Sequence, residues 1–515
     1  MRFLGSRATL CFALVLLSGC GDHDLRTKPS LTKDELRDPR TCQGCHPGQY
    51  EEWSGSMHAY AADDPVFLAM NARGQAETNG RLGSFCVDCH APMAVRQGLT
   101  HDGLNLEELP ASVRGVTCYF CHNTEAIEGT HNNPLKLADD RSMRGPLSDA
   151  RANAAHASAY ARHFDATEQE ASALCGACHD VTLDEALVGG NVPLERTFVE
   201  WQSSLFGKPH DQGGVACIGC HMPKSSRRER AAESASAPHR RSARHDFEGI
   251  DLALTPFAQR ERQQILVERL VASSLLAEIC VAETGVIEVT LENAGSGHHW
   301  PSGASQHRRA WIEVSAFVAG QAEPAFETPP PTDVEAEGLV FKDTVVDGDG
   351  NPAHMFWDIR EVAGSTTLPS AKTRDVRDPD FHRERRVFKL NERPSSLLEF
   401  ERVTLTVKLS PIALEVLADL VESEYLDADV AEAMPVIAVL PDRCYDLALS
   451  ERHPDVLGAR PTCDRGAGDE DSEQTLVWRD SVANAQAPTF RSARVDDAPA
   501  RCLSHPSYVA VPQAP

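Results

Sequence analysis

Positive charge is scarce in this chain of 515 residues: 50 Lys and Arg stand against 76 Asp and Glu, a formal net charge of −26. Such a field repels nucleic acid and anionic lipid headgroups, which excludes nucleic-acid binding as a class. It attracts basic partners, and raises their rate of encounter more than their affinity. Long apolar runs are also lacking. The run from Ala8 to Leu17 is half the roughly 20 residues that a membrane-spanning helix needs, and no later segment comes near that length.

That early run has a different use. Arg2 and Arg7 precede it and Leu17-Ser18-Gly19-Cys20 ends it, the layout of a secretory leader. The ending resembles the lipobox of bacterial lipoproteins, in which the cysteine is acylated and becomes the mature N-terminus. Residues 1–20 then form a lipoprotein signal peptide, and Cys20 anchors the chain to a membrane. An ordinary cleaved leader is the alternative. Both export the chain, and loss of Arg2 and Arg7 leaves it two charges more acidic. Residues 21–40, polar and of mixed charge, read as a tether.

What the sequence has in quantity is one pattern. Cys42-Gln43-Gly44-Cys45-His46, Cys86-Val87-Asp88-Cys89-His90, Cys118-Tyr119-Phe120-Cys121-His122, Cys175-Gly176-Ala177-Cys178-His179 and Cys217-Ile218-Gly219-Cys220-His221 are each CxxCH. With 16 Cys and 21 His in the chain, roughly 0.02 such patterns are expected by chance. Two thiols at this spacing can add to the two vinyl groups of one haem, while the adjacent imidazole reaches its iron. A CxxC redox pair or half a zinc site would leave the fifth residue free; here it is histidine every time. The implied cofactors are five covalently attached haems c, on Cys42, Cys45, Cys86, Cys89, Cys118, Cys121, Cys175, Cys178, Cys217 and Cys220, with His46, His90, His122, His179 and His221 on the irons.

Five motifs within residues 41–250 leave so little chain per haem that neighbouring haems must pack together and supply much of the apolar interior. Whether an iron transfers electrons or does chemistry depends on its sixth ligand. Candidates are His58 after the first motif, His156 and His163 read as sharing one side of a short helix, His131 after the third motif, and His245 at the end of the segment. The segments Asn153 to Phe164 and Leu194 to Leu205 are predicted as short helices.

Trp53-x-x-Ser56-x-His58-Ala59, Gly115-Val116-Thr117, Cys175 to Asp180 and Cys220-His221-Met222-Pro223 resemble multihaem cytochromes c of the cytochrome c-554 type, related to hydroxylamine oxidoreductase and the pentahaem nitrite reductases. The likeness covers about 210 residues. It implies helices and loops around parallel and perpendicular haem pairs, largely bis-histidine, moving electrons in the periplasm. The chain has no CxxCK of the kind that carries the catalytic haem of the nitrite reductases, and five motifs rather than the eight of hydroxylamine oxidoreductase.

Beyond the motifs, Lys224, Arg227, Arg228, Arg230, Arg240, Arg241 and Arg244 form a local basic run, read as a flexible, solvated connection rather than a docking site. Residues 251–274 read as a connecting helix. Gly285 to Glu292, Arg309 to Val318 and Phe400 to Leu409 alternate as half-buried strands do, and Ile412 to Val421 reads as a helix. The fold expected is a mainly α and irregular multihaem cytochrome c domain, followed over 275–450 by a β-sandwich-like domain and over 451–515 by an irregular acidic tail. The loop Gly297-His298-His299-Trp300-Pro301-Ser302-Gly303 is read as a turn before it is read as a haem contact. Cys280, Cys444, Cys463 and Cys502 suggest two disulfides, Cys444–Cys463 and Cys280–Cys502.

Two functions fit. The favoured one is an electron carrier in the periplasm or at the cell surface, anchored to the outer membrane through Cys20, whose partners are other redox proteins, basic cytochromes among them. The alternative is an oxidoreductase acting on a small nitrogen or sulfur compound at one five-coordinate haem. The surplus of histidines and the absence of CxxCK favour the first.

Overall fold

The computed structural model describes residues 29–149, 155–234, 237–318, 320–329, 339–389, 400–440, 476–479 and 490–504. The leader, Cys20 and the Cys444–Cys463 pairing lie outside the described residues. Up to residue 250 no described helix exceeds the 13 residues of Pro65–Glu77. Proline sets this rhythm. Pro39–Gln43, Pro47–Ser54, Pro65–Glu77 and Pro92–Arg96 all start on it, since its fixed φ suits the first helical position and its missing N–H is an orphan there anyway. Asp38, Ser56, Asp64 and Thr117 cap neighbouring helices with side-chain oxygens, so that short elements start at defined residues.

The segment up to Phe164 departs from the helix expected there. Its described part forms the strand Ala157–Tyr160, paired in parallel with Ser142–Gly145, and a 3-10 turn Arg162–Phe164. Alanine is the strongest helix former, but intrinsic propensity is a weak prior, and pairing with a neighbouring strand overrides it here. His156 and His163 therefore share no helix face. Leu194 to Leu205 is helical only over Thr197–Ser203, after the strand Val192–Glu195.

The connecting helix runs Arg260–Ala272, later than expected. Beyond it, strands order as Arg383–Phe388, Ile287–Glu292, Leu276–Ala282, Ala498–Ser504 and Phe490–Val495 in one antiparallel sheet. A second sheet is built on the long pairing of Arg309–Val318 with Phe400–Ser410. Val289 and Leu291 of the first sheet, and Ile312, Val314, Val403, Leu405 and Val407 of the second, are buried in one hydrophobic cluster with Trp300 and Phe341. Alternation with period two sends every second residue of each strand there. The Leu414–Glu422 helix buries Leu417 and Leu420 in another cluster, shared with Val66, Ala69 and Met70 from the motif-bearing half and with Met355 and Trp357.

The tail is not irregular throughout. Phe490–Val495 and Ala498–Ser504 extend the first sheet, and Leu476–Arg479 pairs with Phe400–Ser410. A disulfide joins Cys280 to Cys502, which face each other across adjacent strands. It closes a loop of 222 residues. Replacing both cysteines with serine should lower stability by about 2–5 kcal/mol, read as a drop in the urea midpoint; an unchanged midpoint would mean that strand pairing alone holds the tail.

Candidate functional site

The five motifs gather into one body. The Cys42 and Cys118 thiols lie within hydrogen-bonding reach of each other, as do Cys89 and Cys178, and Cys175 and Cys217. In the first pair the contact holds Cys42 below its usual range and pushes Cys118 up. Burial alone pushes Cys121 up to about 12. The first motif thus abuts the third, and the fourth abuts both the second and the fifth. No such contact follows from sequence order.

Four motif histidines each face a second histidine. Ring centroids are 6.4 Å apart for His46 and His156, 6.2 Å for His179 and His58, 6.3 Å for His122 and His245, and 6.4 Å for His221 and His298. Two metal–imidazole bonds of about 2.0–2.1 Å, with about 1.1 Å from each ring nitrogen to its ring centre, add up to about 6.3 Å. The gaps therefore fit one iron each. They also fit no direct hydrogen bond between the rings, whose nearest atoms would then be too far apart.

The other ring nitrogens agree. Nδ1 of His46, His90 and His122 meets the carbonyls of Ala231, Ala61 and Arg144 at 3.0, 3.0 and 2.6 Å, and that of His221 meets Glu248. On the facing rings, Nδ1 of His156, His245 and His298 meets Ala157, Ala243 and His299 at 3.0, 3.0 and 2.7 Å. A carbonyl can only accept, so each Nδ1 carries the proton and each Nε2 keeps its lone pair. Burial, followed by the facing ring, drives His58 down to about 3, and burial holds His179, His245 and His298 at about 4. They are neutral, the form that ligates metals.

Local structure explains these positions. His58 sits in the Met57–Tyr60 turn, whose carbonyl accepts from Val116 N–H at 2.8 Å, and Trp53 Nε1 donates to Val116 O at 2.7 Å. Gly115, at φ +72°, permits this approach, because a Cβ there would come within 2.6 Å of the His58 and Ala59 carbonyl oxygens. His245 is held by the residues after it. Arg262 bonds Asp246 at 2.7 Å and Arg269 bonds Glu248, and these two arginines are seven apart on one side of the Arg260–Ala272 helix. Burial alone would raise Asp246, but Arg262 and Arg244 hold it below its usual value. Between the clamped carboxylates, Phe247 lies 4.2 Å from the His58 ring and 5.9 Å from that of His245.

Two sequence candidates face no motif histidine. His131 is exposed and bonds its neighbour Thr130. His163 is buried, with Nε2 donating to the Thr124 carbonyl at 3.2 Å. His298 takes a place that the turn reading of its loop passed over; the paired histidines at 298 and 299 were the available signal. Of the motif histidines, His90 has no second imidazole opposite it among the described residues, and Phe67 stacks flat on its ring at 4.1 Å.

Glu200 secures the His298 loop. It accepts from His299 N–H at 3.1 Å and Ser302 Oγ at 2.6 Å, and burial pushes its carboxyl from 4.5 up to about 7. A raised acid binds its proton more tightly when folded, so its contribution is present below 4.5 and lost as pH rises through about 7. Chemical denaturation of the wild type and Glu200→Gln should show the wild type losing more stability between pH about 5 and about 8; parallel losses would mean that Glu200 does not titrate in that window.

Comparison with known proteins gives two matches. Residues 41–123 match the family described as cytochrome c554 and c-prime. A solved structure, the penta-heme cytochrome c552 from Thermochromatium tepidum, is similar with a TM-score of 0.52 and 20% identity over 77% of this chain and 96% of that one. At that identity the second likeness speaks to the fold. No curated protein matches the chain.

Proposed function

We propose that the chain, whose residues 41–123 match the cytochrome c554 family, is a multihaem cytochrome c that relays single electrons through five haems c. The four histidine pairs at 6.2–6.4 Å carry this reading. In it His46 with His156, His122 with His245, His179 with His58, and His221 with His298 would each hold one haem iron, and His90 would hold the fifth. When bound, the haems supply one-electron iron couples whose potentials follow ligand identity, burial and hydrogen bonding. The protein orients both imidazoles of three pairs through Nδ1, packs Phe247 against His58 and Phe67 against His90, and brings the motifs into contact. An iron held from both sides has no place for substrate, which is what a relay needs. The two sheets act as a β-sandwich-like second domain that donates His298. The leader ending at Cys20 supports an exported lipoprotein at the periplasmic or outer surface, where redox proteins are its partners.

One observation favours a second role. His90 lacks a facing imidazole among the described residues, so the iron it holds would be open to a small nitrogen or sulfur compound. Titrating the oxidised protein with cyanide or nitrite should change the spectrum of one haem in five, with a high-spin EPR signal lost as the ligand binds. No response would close that site and leave the relay alone.

Substituting His298 with alanine should convert one further haem from low spin to high spin and leave the count of covalent haems unchanged. An EPR spectrum identical to wild type would remove His298 from the ligands.

A further inference from the structure

Residues 224–246 were expected to be a flexible connection, but among the described residues they pair as two antiparallel arms. Glu229–Arg230 pairs with His239–Arg240, and Lys224 bridges to Ala243. Two of its arginines are spent on structure: Arg240 pairs with Asp149 at 2.7 Å, and the poorly exposed Arg244 pairs with Asp246 and Glu52. Four others, Arg227, Arg228, Arg230 and Arg241, are exposed and make no ion pair among the described residues. Their main-chain and carbonyl contacts, such as Arg228 to His239 O at 2.8 Å, stiffen the hairpin without neutralising it. In a chain of net charge −26 this is a patch of opposite sign held on a defined scaffold.

Its position gives the patch meaning. Ala231 O receives His46 Nδ1 at 3.0 Å, and Glu233 N–H donates to Cys45 O at 2.7 Å. The hairpin therefore lies directly on the first motif. Of the ten motif cysteines only Cys45 and Cys220 are exposed, and Cys220 is in the motif from which the hairpin emerges. The first motif thus combines solvent access with a neighbouring positive surface.

We propose that this hairpin docks an acidic one-electron redox protein, so that electrons enter or leave at the haem on Cys42 and Cys45; the proposal rests on that haem assignment. One electron crosses between the partner's centre and the iron, one being oxidised as the other is reduced, and no bond forms or breaks. The protein's overall charge alone would select basic partners. A local cluster of opposite sign overrides it, because screening confines each charge's influence to about 8–10 Å at physiological ionic strength.

The test is the second-order rate of electron exchange between the haem-loaded full chain and a reduced acidic flavodoxin, measured by stopped flow as ionic strength is raised. Attraction to the hairpin predicts a rate that falls with salt, and a drop of about tenfold or more at low salt in Arg227→Glu/Arg228→Glu/Arg230→Glu/Arg241→Glu, with exchange with a basic cytochrome c undiminished. Binding of the oxidised flavodoxin, followed by calorimetry, should weaken in parallel. A wild-type rate that rises with salt overturns the proposal without any variant. So does an unchanged rate in a folded variant, or arginine-dependent pelleting of the wild type with phosphatidylglycerol vesicles while the flavodoxin rate stays unaffected. The haem assignment fails separately: Cys42→Ser/Cys45→Ser would then retain all five haems.

Discussion

The opposed histidine pair is the constraint on which the rest depends. Two imidazoles whose ring centres lie 6.2–6.4 Å apart are too far apart to bond each other. Such an arrangement leaves two lone pairs aimed into one gap, which costs free energy unless something accepts them. A haem iron removes that cost, and its porphyrin fills the space that so short a chain cannot fill with side chains. This accounts for a motif-bearing half with short helices and a limited apolar cluster around Tyr119, Phe120 and Met93.

Each pair needs its two members brought from different parts of the chain, and the fold invests accordingly. His58 depends on the close approach that Gly115 permits. His245 depends on Arg262 and Arg269, which hold the acids on either side of Phe247. His298 arrives from the sheet-bearing half, fixed by Glu200. The second half therefore meets the motif-bearing half at the facing His221 and His298 rings as well as in the cluster that Met70 shares with Trp357 and Leu417. Buried charge pairs add little net stability, but they are sensitive to the loss of one partner. Their value here lies in placing ligands.

Sequence patterns were legible where the physics is local. Arg309–Val318 occurs as a strand over the range that its alternation marks, and Phe400–Ser410 within one residue of it. The Cys280–Cys502 pairing also emerged, since an even count of cysteines outside the motifs restricts the choice. The segment up to Phe164 was misread because its alanines carry no information about the strand at Ser142–Gly145 with which it pairs. The tail looked irregular because strands of four to seven residues are weak signals until a sheet edge is there to receive them.

The sequence by itself determined the cofactor class and its attachment, because CxxCH is a covalent requirement written in consecutive residues. It also narrowed the sixth-position candidates to a handful of histidines. Only the tertiary structure shows which of them lie opposite a motif histidine. His163 is nearer in sequence to a motif than His298 is, yet its Nε2 meets the Thr124 carbonyl while His298, from the loop before the Arg309–Val318 strand, faces His221. Ligation depends on where a lone pair points in space, and that direction is set by contacts between residues tens to hundreds of positions apart.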